Sequence, residues 1–313
     1  MTPEEIRALA GDMLEMREPV PDDLRDRVMR SVDRVRARRR RRPLLLSGLG
    51  GLAVSAAAIV AVVLAQQPAR PGLNPDVTDV LNRAANVAGS EPELVPGAGQ
   101  FVFTETRAWY PTATSSANSA DGAVVTVYSW RSADGTRDGL VRQPDGPGAR
   151  GDEVLPGCRD GKMEPRDRQG HPLGTLVGCD PDPGYVTGLP STAEAMAKLL
   201  FTRGGGTARG AFEQVGVILK DHYLPPKSRA LLFKAAALIP GVEVAYGVSD
   251  AAGRPGIAIV LAEDGVRQEL VFDPVRFTFS GWQMRSESDG VNAMLRRYAV
   301  MRVAVTGTAG SLP

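Results

Sequence analysis

The run from Leu44 to Ala65 contains no charged residue. As a helix, roughly 22 residues rise about 33 Å, close to the hydrocarbon thickness of a bilayer. A soluble helix of that length would carry a polar stripe every three or four positions. Here the only interruptions are Ser47, Gly48, Gly50, Gly51 and Ser55, all tolerated in lipid. A cleaved export signal has a short charged region and an apolar region of about 7–15 residues. This run is longer and follows residues 1–43, with no A-x-A-like site and no cysteine for lipid attachment after it. The pattern predicts a retained transmembrane helix over 44–65.

Arg36, Arg38, Arg39, Arg40, Arg41 and Arg42 stand just before the run, whereas only Arg70 follows it closely. Cytoplasmic flanks are enriched in Arg and Lys. The expected topology is a cell-membrane protein that crosses once, with a cytoplasmic N-terminus and an extracytoplasmic remainder. The arginines would meet anionic lipid headgroups. No aromatic or base-reading motif accompanies them, so no nucleic-acid partner is expected. Ser47, Gly51 and Ser55 fall at i, i+4 and i+8, a small-residue stripe suited to a homodimer through the membrane helix.

Net charge excludes little, because the chain of 313 residues sums to +1. Its distribution says more: residues 1–43 hold twelve Arg against nine Asp/Glu. The chain divides into a basic helical tail (1–43), the span (44–65), a spacer and helix (66–96) and an extracytoplasmic domain (97–313). The two cysteines, Cys158 and Cys179, both fall in that domain, on the side where disulfides persist. Bridging them would close a polar, Gly/Pro-rich loop and contribute roughly 3 kcal/mol in the chain-entropy model. With His171 they match no usual zinc spacing and lack a fourth ligand, so no metal is expected.

Thr2-Pro3-Glu4-Glu5 is a capping box with proline at the first helical position. Ile6, Leu9, Ala10 and Met13 follow at helical spacing. A second helix starts near Pro21, with Leu24, Val28, Met29, Val32 and Val35 on one face. Two readings of the tail stay open. It is a frayed segment near the membrane, or a docking segment that folds on a cytoplasmic partner.

After the Pro-rich spacer, Val77, Val80, Leu81, Ala84 and Val87 mark a helix capped by Asn74. Residues 99–110 and 123–131 read as a hairpin, and 132–188 is turn-rich. Three helices follow: one behind the capping box Ser191/Glu194, one with Phe212, Val215, Ile218 and Leu219, and one started by Pro225 and Pro226. Gly204 to Gly206 lack a following Gly-Lys-Ser/Thr and read as an inter-helix linker, not a phosphate loop. Strands at 242–249, 256–262, 267–273, 276–285 and about 297–306 form a meander with Asp/Gly turns. Strands, then helices, then strands give an α+β fold. The expected architecture is an antiparallel sheet with the helices on one face, and an open half-barrel is the form it would take if curled.

No catalytic constellation is present: there is no G-x-S-x-G, no S-x-x-K and no H-E-x-x-H. His222 reads as a solvated helix end, and Asp180 and Asp182 as a rigid turn. Asp250, Arg254 and Asp273 read as hairpin-corner residues, with Arg254 placed to pair with a carboxylate. No catalytic residue and no cofactor is expected.

The stretch "LPPKSRALLFKAAALIPGVEVAYGVSDAAGRPGIAIVLAEDGVRQELVFDP" (224–274) resembles a signature of an actinobacterial family. Its members are uncharacterised single-pass membrane proteins, often encoded near extracytoplasmic-function sigma factors. "GQFVFTE" (99–105) and "GLPSTAEAM" (188–196) resemble its other recurring stretches, and the layout matches throughout. The resemblance implies an anti-sigma-like role, with a sigma factor as the partner of the tail. The zinc anti-sigma motif H-x-x-x-C-x-x-C is absent, and residues 1–43 hold neither Cys nor His. The expectation is a non-enzymatic, membrane-anchored sensor or binding protein with an unknown extracytoplasmic ligand. The alternative is a carrier-like ligand- or lipid-binding domain without signalling.

Overall fold

The computed structural model describes residues 75–111, 122–144, 146, 151–167, 170–288 and 291–313. The tail with its stripe from Leu24 to Val35, the arginines Arg38 to Arg42, the apolar run 44–65 and the cap Asn74 lie outside the described residues. Among the described residues no helix is long and apolar enough to cross a membrane.

Helix α1 (Pro75–Ser90) begins with proline, whose fixed φ suits the first helical position. Val77, Val80, Leu81, Ala84, Ala85 and Ala88 recur at helical spacing and are buried. Helices α2 (Ala193–Arg203), α3 (Ala208–Asp221) and α4 (Pro226–Ala236) follow later in the chain. The cap of α2 is Thr192, which accepts from Ala195 N at 3.2 Å, one residue beyond the expected Ser191. Thr207 caps α3. The glycines between α2 and α3 allow a close turn: a Cβ on Gly210 would lie 1.9 Å from the Gly204 carbonyl oxygen.

The main sheet is antiparallel and has nine strands. In chain order these are β1 (Phe101–Pro111), β2 (Gly122–Ser132), β3 (Gly139–Arg142) and β4 (Glu153–Leu155). The second half holds β7 (Val242–Ser249), β8 (Pro255–Glu263), β9 (Val266–Phe272), β10 (Phe279–Ser288) and β11 (Val291–Thr306). A separate ribbon pairs β5 (Lys162–Met163) with β6 (Val177–Gly178). The order β4-β3-β2-β1-β11-β10-β9-β8-β7 joins two meanders through β1 and β11. Both edges stay open, so the sheet is not closed.

The helices cover one face of β7 to β11. Ile259, Leu261, Leu270, Phe272, Trp282 and Tyr298 from that face join the helix core. Each such side chain contributes roughly 1.5–3 kcal/mol by leaving water. No residue of β1 to β4 belongs to that core. On the opposite face Phe101, Phe103 and Trp130 form a smaller core. The chain end lies across it, with Trp130 Nε1 donating to the Ser311 carbonyl at 2.7 Å.

Two of the four register shifts in the sheet are linked by one arginine. The β1–β11 register pairs Glu105 with Arg302 but Thr106 with Val300, so Met301 is an extra residue. This bulge explains why Tyr298, Val300, Val303 and Val305 do not alternate strictly. The β9–β10 register also shifts, between Phe279 and Gly281. Arg254 donates to the Ser280 and Val300 carbonyls at 3.1 and 2.9 Å, satisfying backbone oxygens at both irregularities. Its Nε pairs with Asp250 Oδ2 at 2.6 Å. Arg297 of β11 donates to the Ser249 and Asp250 carbonyls. The β7–β8 turn is thus strapped to the centre of the sheet, and Arg254 pairs with the carboxylate of its own turn where sequence suggests a pair across adjacent turns.

Candidate functional site: a cavity between helices and sheet

A cavity of about 90 Å³ lies where the helix layer meets the junction of the two meanders. Helix α1 supplies Ala84 and Ala88, α4 supplies Phe233, and Val300 and Val303 of β11 join Thr104 of β1. Phe277, from the β9–β10 connection, and Phe279, the first residue of β10, close another side. Alanine on α1 leaves the gap that a larger side chain would fill. Phe233, Phe272 and Phe279 pack edge-on or tilted against one another with centroids 5.3–6.4 Å apart.

The polar groups nearby come from distant parts of the chain. Arg229, on α4, forms an ion pair with Glu91 just beyond α1, and its guanidinium carbon sits 5.7 Å from the Tyr223 ring centroid. Tyr223 accepts from Leu94 N through its hydroxyl at 2.9 Å and stacks on Tyr185. Tyr185 donates to Glu93. That bond holds the phenol proton, and with burial and the carboxylate charge it pushes the Tyr185 pKa up to about 12.

His222 is the C-cap of α3, but it is not the solvated terminus that sequence suggests. Its side chain is only 18% exposed, with Nδ1 2.9 Å from the Pro183 carbonyl oxygen. Asp182 pairs with Arg131 at 2.7 Å, so the Asp-Pro turn is fixed to β2. Among the described residues, no group of three or more His, Cys, Asp or Glu is placed to hold a metal ion.

Phe277 is unusual. Its φ is +55°, a left-handed conformation that a bulky side chain rarely adopts. The turn 273–278 enforces it: Phe277 N donates to the Asp273 carbonyl at 3.0 Å, and Asp273 N to that of Thr278 at 2.9 Å. The Asp273 carboxylate accepts from Val275 N and Arg276 N at 2.9 and 2.7 Å. These bonds, led by that from Arg276, hold its carboxyl below the usual carboxylate range. A lowered native pKa means that the stabilisation is complete above the unfolded value of about 3.9 and fades as pH falls through the native one. Asp273→Asn should therefore weaken the loss of stability between about pH 5 and pH 3. Thermal melts at both pH values check this; an unchanged acid dependence would exclude the carboxylate as a contributor.

Cys158 and Cys179 form a disulfide with their Cα atoms 5.9 Å apart, as expected. It staples the loop that carries the β5–β6 ribbon, away from the cavity. His171 lies in that loop, 3.1 Å from Asp167 and exposed.

No family model matches the chain, and no curated protein does. Similar solved structures include the MucA/MucB complex of Pseudomonas aeruginosa, with 14% identity and a TM-score of 0.29. That match covers 75% of this chain and 59% of the other. A second is MucB in complex with MucA(peri), with 16% identity, a TM-score of 0.27, and coverage of 75% and 57%. The chain thus spans under two thirds of the length of either. Likeness at this level does not define what this chain binds.

Sequence reading found the elements around the cavity but not the cavity. Ala84 belongs to a helical stripe in which nothing marks it as a gap. Glu91 and Arg229 are 138 residues apart, so their pairing has no local signal. Phe277 reads as one more strand aromatic until the turn places it in the left-handed region.

Proposed function

We propose that the chain is a membrane-anchored, non-enzymatic sensor whose extracytoplasmic domain binds a ligand and whose tail holds a cytoplasmic partner in an anti-sigma-like manner. One observation carries the reading. Helix α1, which starts only a spacer (66–74) after the apolar run, is itself a wall of the cavity. Whatever enters the cavity touches the helix that follows the proposed anchor in sequence. The resemblance of 224–274 to proteins encoded near sigma factors supports the tail's role. The arginines Arg38 to Arg42 support N-in, C-out topology, and Ser47, Gly51 and Ser55 would allow two anchors to pair.

The tail is the part to test. Leu24, Val28, Met29, Val32 and Val35 would give about 1.5 kcal/mol each on burial, enough for modest affinity after ordering costs. Residues 1–42 should recover an extracytoplasmic-function sigma factor, and Val28→Asp with Val32→Asp should abolish the recovery. Equal recovery by the double variant would remove the stripe as the docking face. No sigma factor in either case would leave the carrier-like reading, which the Val- and Thr-lined face of β1 and β11 beside the cavity favours.

A further inference from the structure

We infer that the cavity takes the methyl end of a single aliphatic chain whose oxygen-bearing head group lies at Arg229, with Phe277 as the wall that moves to admit it. This deepens the sensor reading, and the cavity's own chemistry carries it. One side of the lining, with Ala84, Ala88, Phe233, Phe279, Val300 and Val303, offers almost no hydrogen bonds, while Thr104, His222 and Thr278 lie with Glu91, Tyr223 and Arg229 on the polar side of the same cavity. At about 90 Å³ it is smaller than the ~150 Å³ apolar cavity that admits benzene. It accepts a slim aliphatic end, not a ring system.

The polar side, with the groups next to it, says what the other end carries. Tyr185, Glu93 and Tyr223 are already paired with one another or with backbone. Arg229 gives Nη2 to Glu91, while its Nε is buried and has no partner. Once the guanidinium turns toward the cavity it lines, a carboxylate, ester or hydroxyl oxygen there would accept from that donor. Since Glu91 already neutralises the guanidinium, the site needs an oxygen acceptor and not a full negative charge.

Phe277 supplies the movement. Its ring lines the cavity from a left-handed backbone position, on a turn where Val275 is 83% exposed. The Arg83 guanidinium carbon lies 5.2 Å from the ring centroid. Strain of this kind persists only where surroundings enforce it and clusters at ligand clamps. Here the enforcing contacts are few and solvent-facing, so a chain longer than the gap would displace this wall before Phe233 and Phe279, which pack against each other and Phe272.

The test uses the full chain in phosphatidylcholine nanodiscs. Dodecanoic acid and dodecanol, each bearing a diazirine near the methyl end, are photo-crosslinked to it, and the labelled peptides are mapped. Both probes should label the segments 84–88 and 277–279. Ala88→Phe should cut that labelling several-fold, and Phe277→Gly should raise it, with thermal melts confirming that each variant is folded. Labelling confined to 44–65, or cavity labelling indifferent to both substitutions, would overturn the inference. Labelling by the acid alone would overturn the head-group assignment. None of these outcomes depends on the tail, so a failure of the sigma-factor experiment leaves this one readable.

Discussion

Asp250→Ala should destabilise the domain by about 3 kcal/mol, the lower end of the range for breaking a buried ion pair. Asp250 is 1% exposed. Its carboxylate accepts from Ala252 N at 2.9 Å, from Arg254 N at 3.0 Å and from Arg254 Nε. The lower end applies because the Arg254 side chain is 41% exposed and can rehydrate once freed. The damage would spread, since the same guanidinium satisfies the Ser280 and Val300 carbonyls. Asp250→Asn keeps an acceptor for the turn amides and loses the charge and the acceptor for Arg254 Nε, so it should cost less than alanine. Denaturant midpoints of the three proteins check the order. A loss below about 1 kcal/mol for alanine, the scale of an exposed pair, would mean that the strap is not structural.

Trp130→Ala should cost about 3–5 kcal/mol, the range for truncating a buried aromatic. Trp130 is fully buried against Phe103 and Phe101 in a core that has few other members. Its ring also carries Arg142, 5.3 Å from the centroid, and its Nε1 holds the chain end through Ser311. Trp130→Phe separates these roles, keeping most of the volume and losing one hydrogen bond worth about 1 kcal/mol. Hydrogen exchange should show residues 307–313 released in both variants, with β2 loosened only in the alanine variant. Protected chain ends in Trp130→Phe would mean that packing alone holds them.

Most of the architecture was legible because it is encoded locally. Val77 to Ala84 repeat every three or four residues, and the turn "EDG" places Asp264 and Gly265 at positive φ. Capping was legible to within a residue, with Thr192 taking the place of Ser191. What failed was what depends on distance in the chain. The pairing of β1 with β11, which fuses the two meanders, joins residues nearly two hundred positions apart, and hydrophobic alternation carries no partner label. His222 looked solvated because the segment that covers it, Asp182-Pro183, arrives from another part of the chain. The disulfide was legible because only two cysteines exist. The cavity was not, because an alanine beside a void and an alanine in contact are the same letter.

The most direct measurement of the central claim is coupling across the membrane. The full chain and its Ala88→Phe variant would be solubilised from cells, and the extracytoplasmic-function sigma factor co-purifying with each would be quantified. A sensor whose cavity wall is the helix that follows the proposed anchor in sequence predicts a several-fold change when the cavity is filled, with the isolated tail giving one fixed level. Equal amounts with both full-length proteins, or no sigma factor with either, would contradict it.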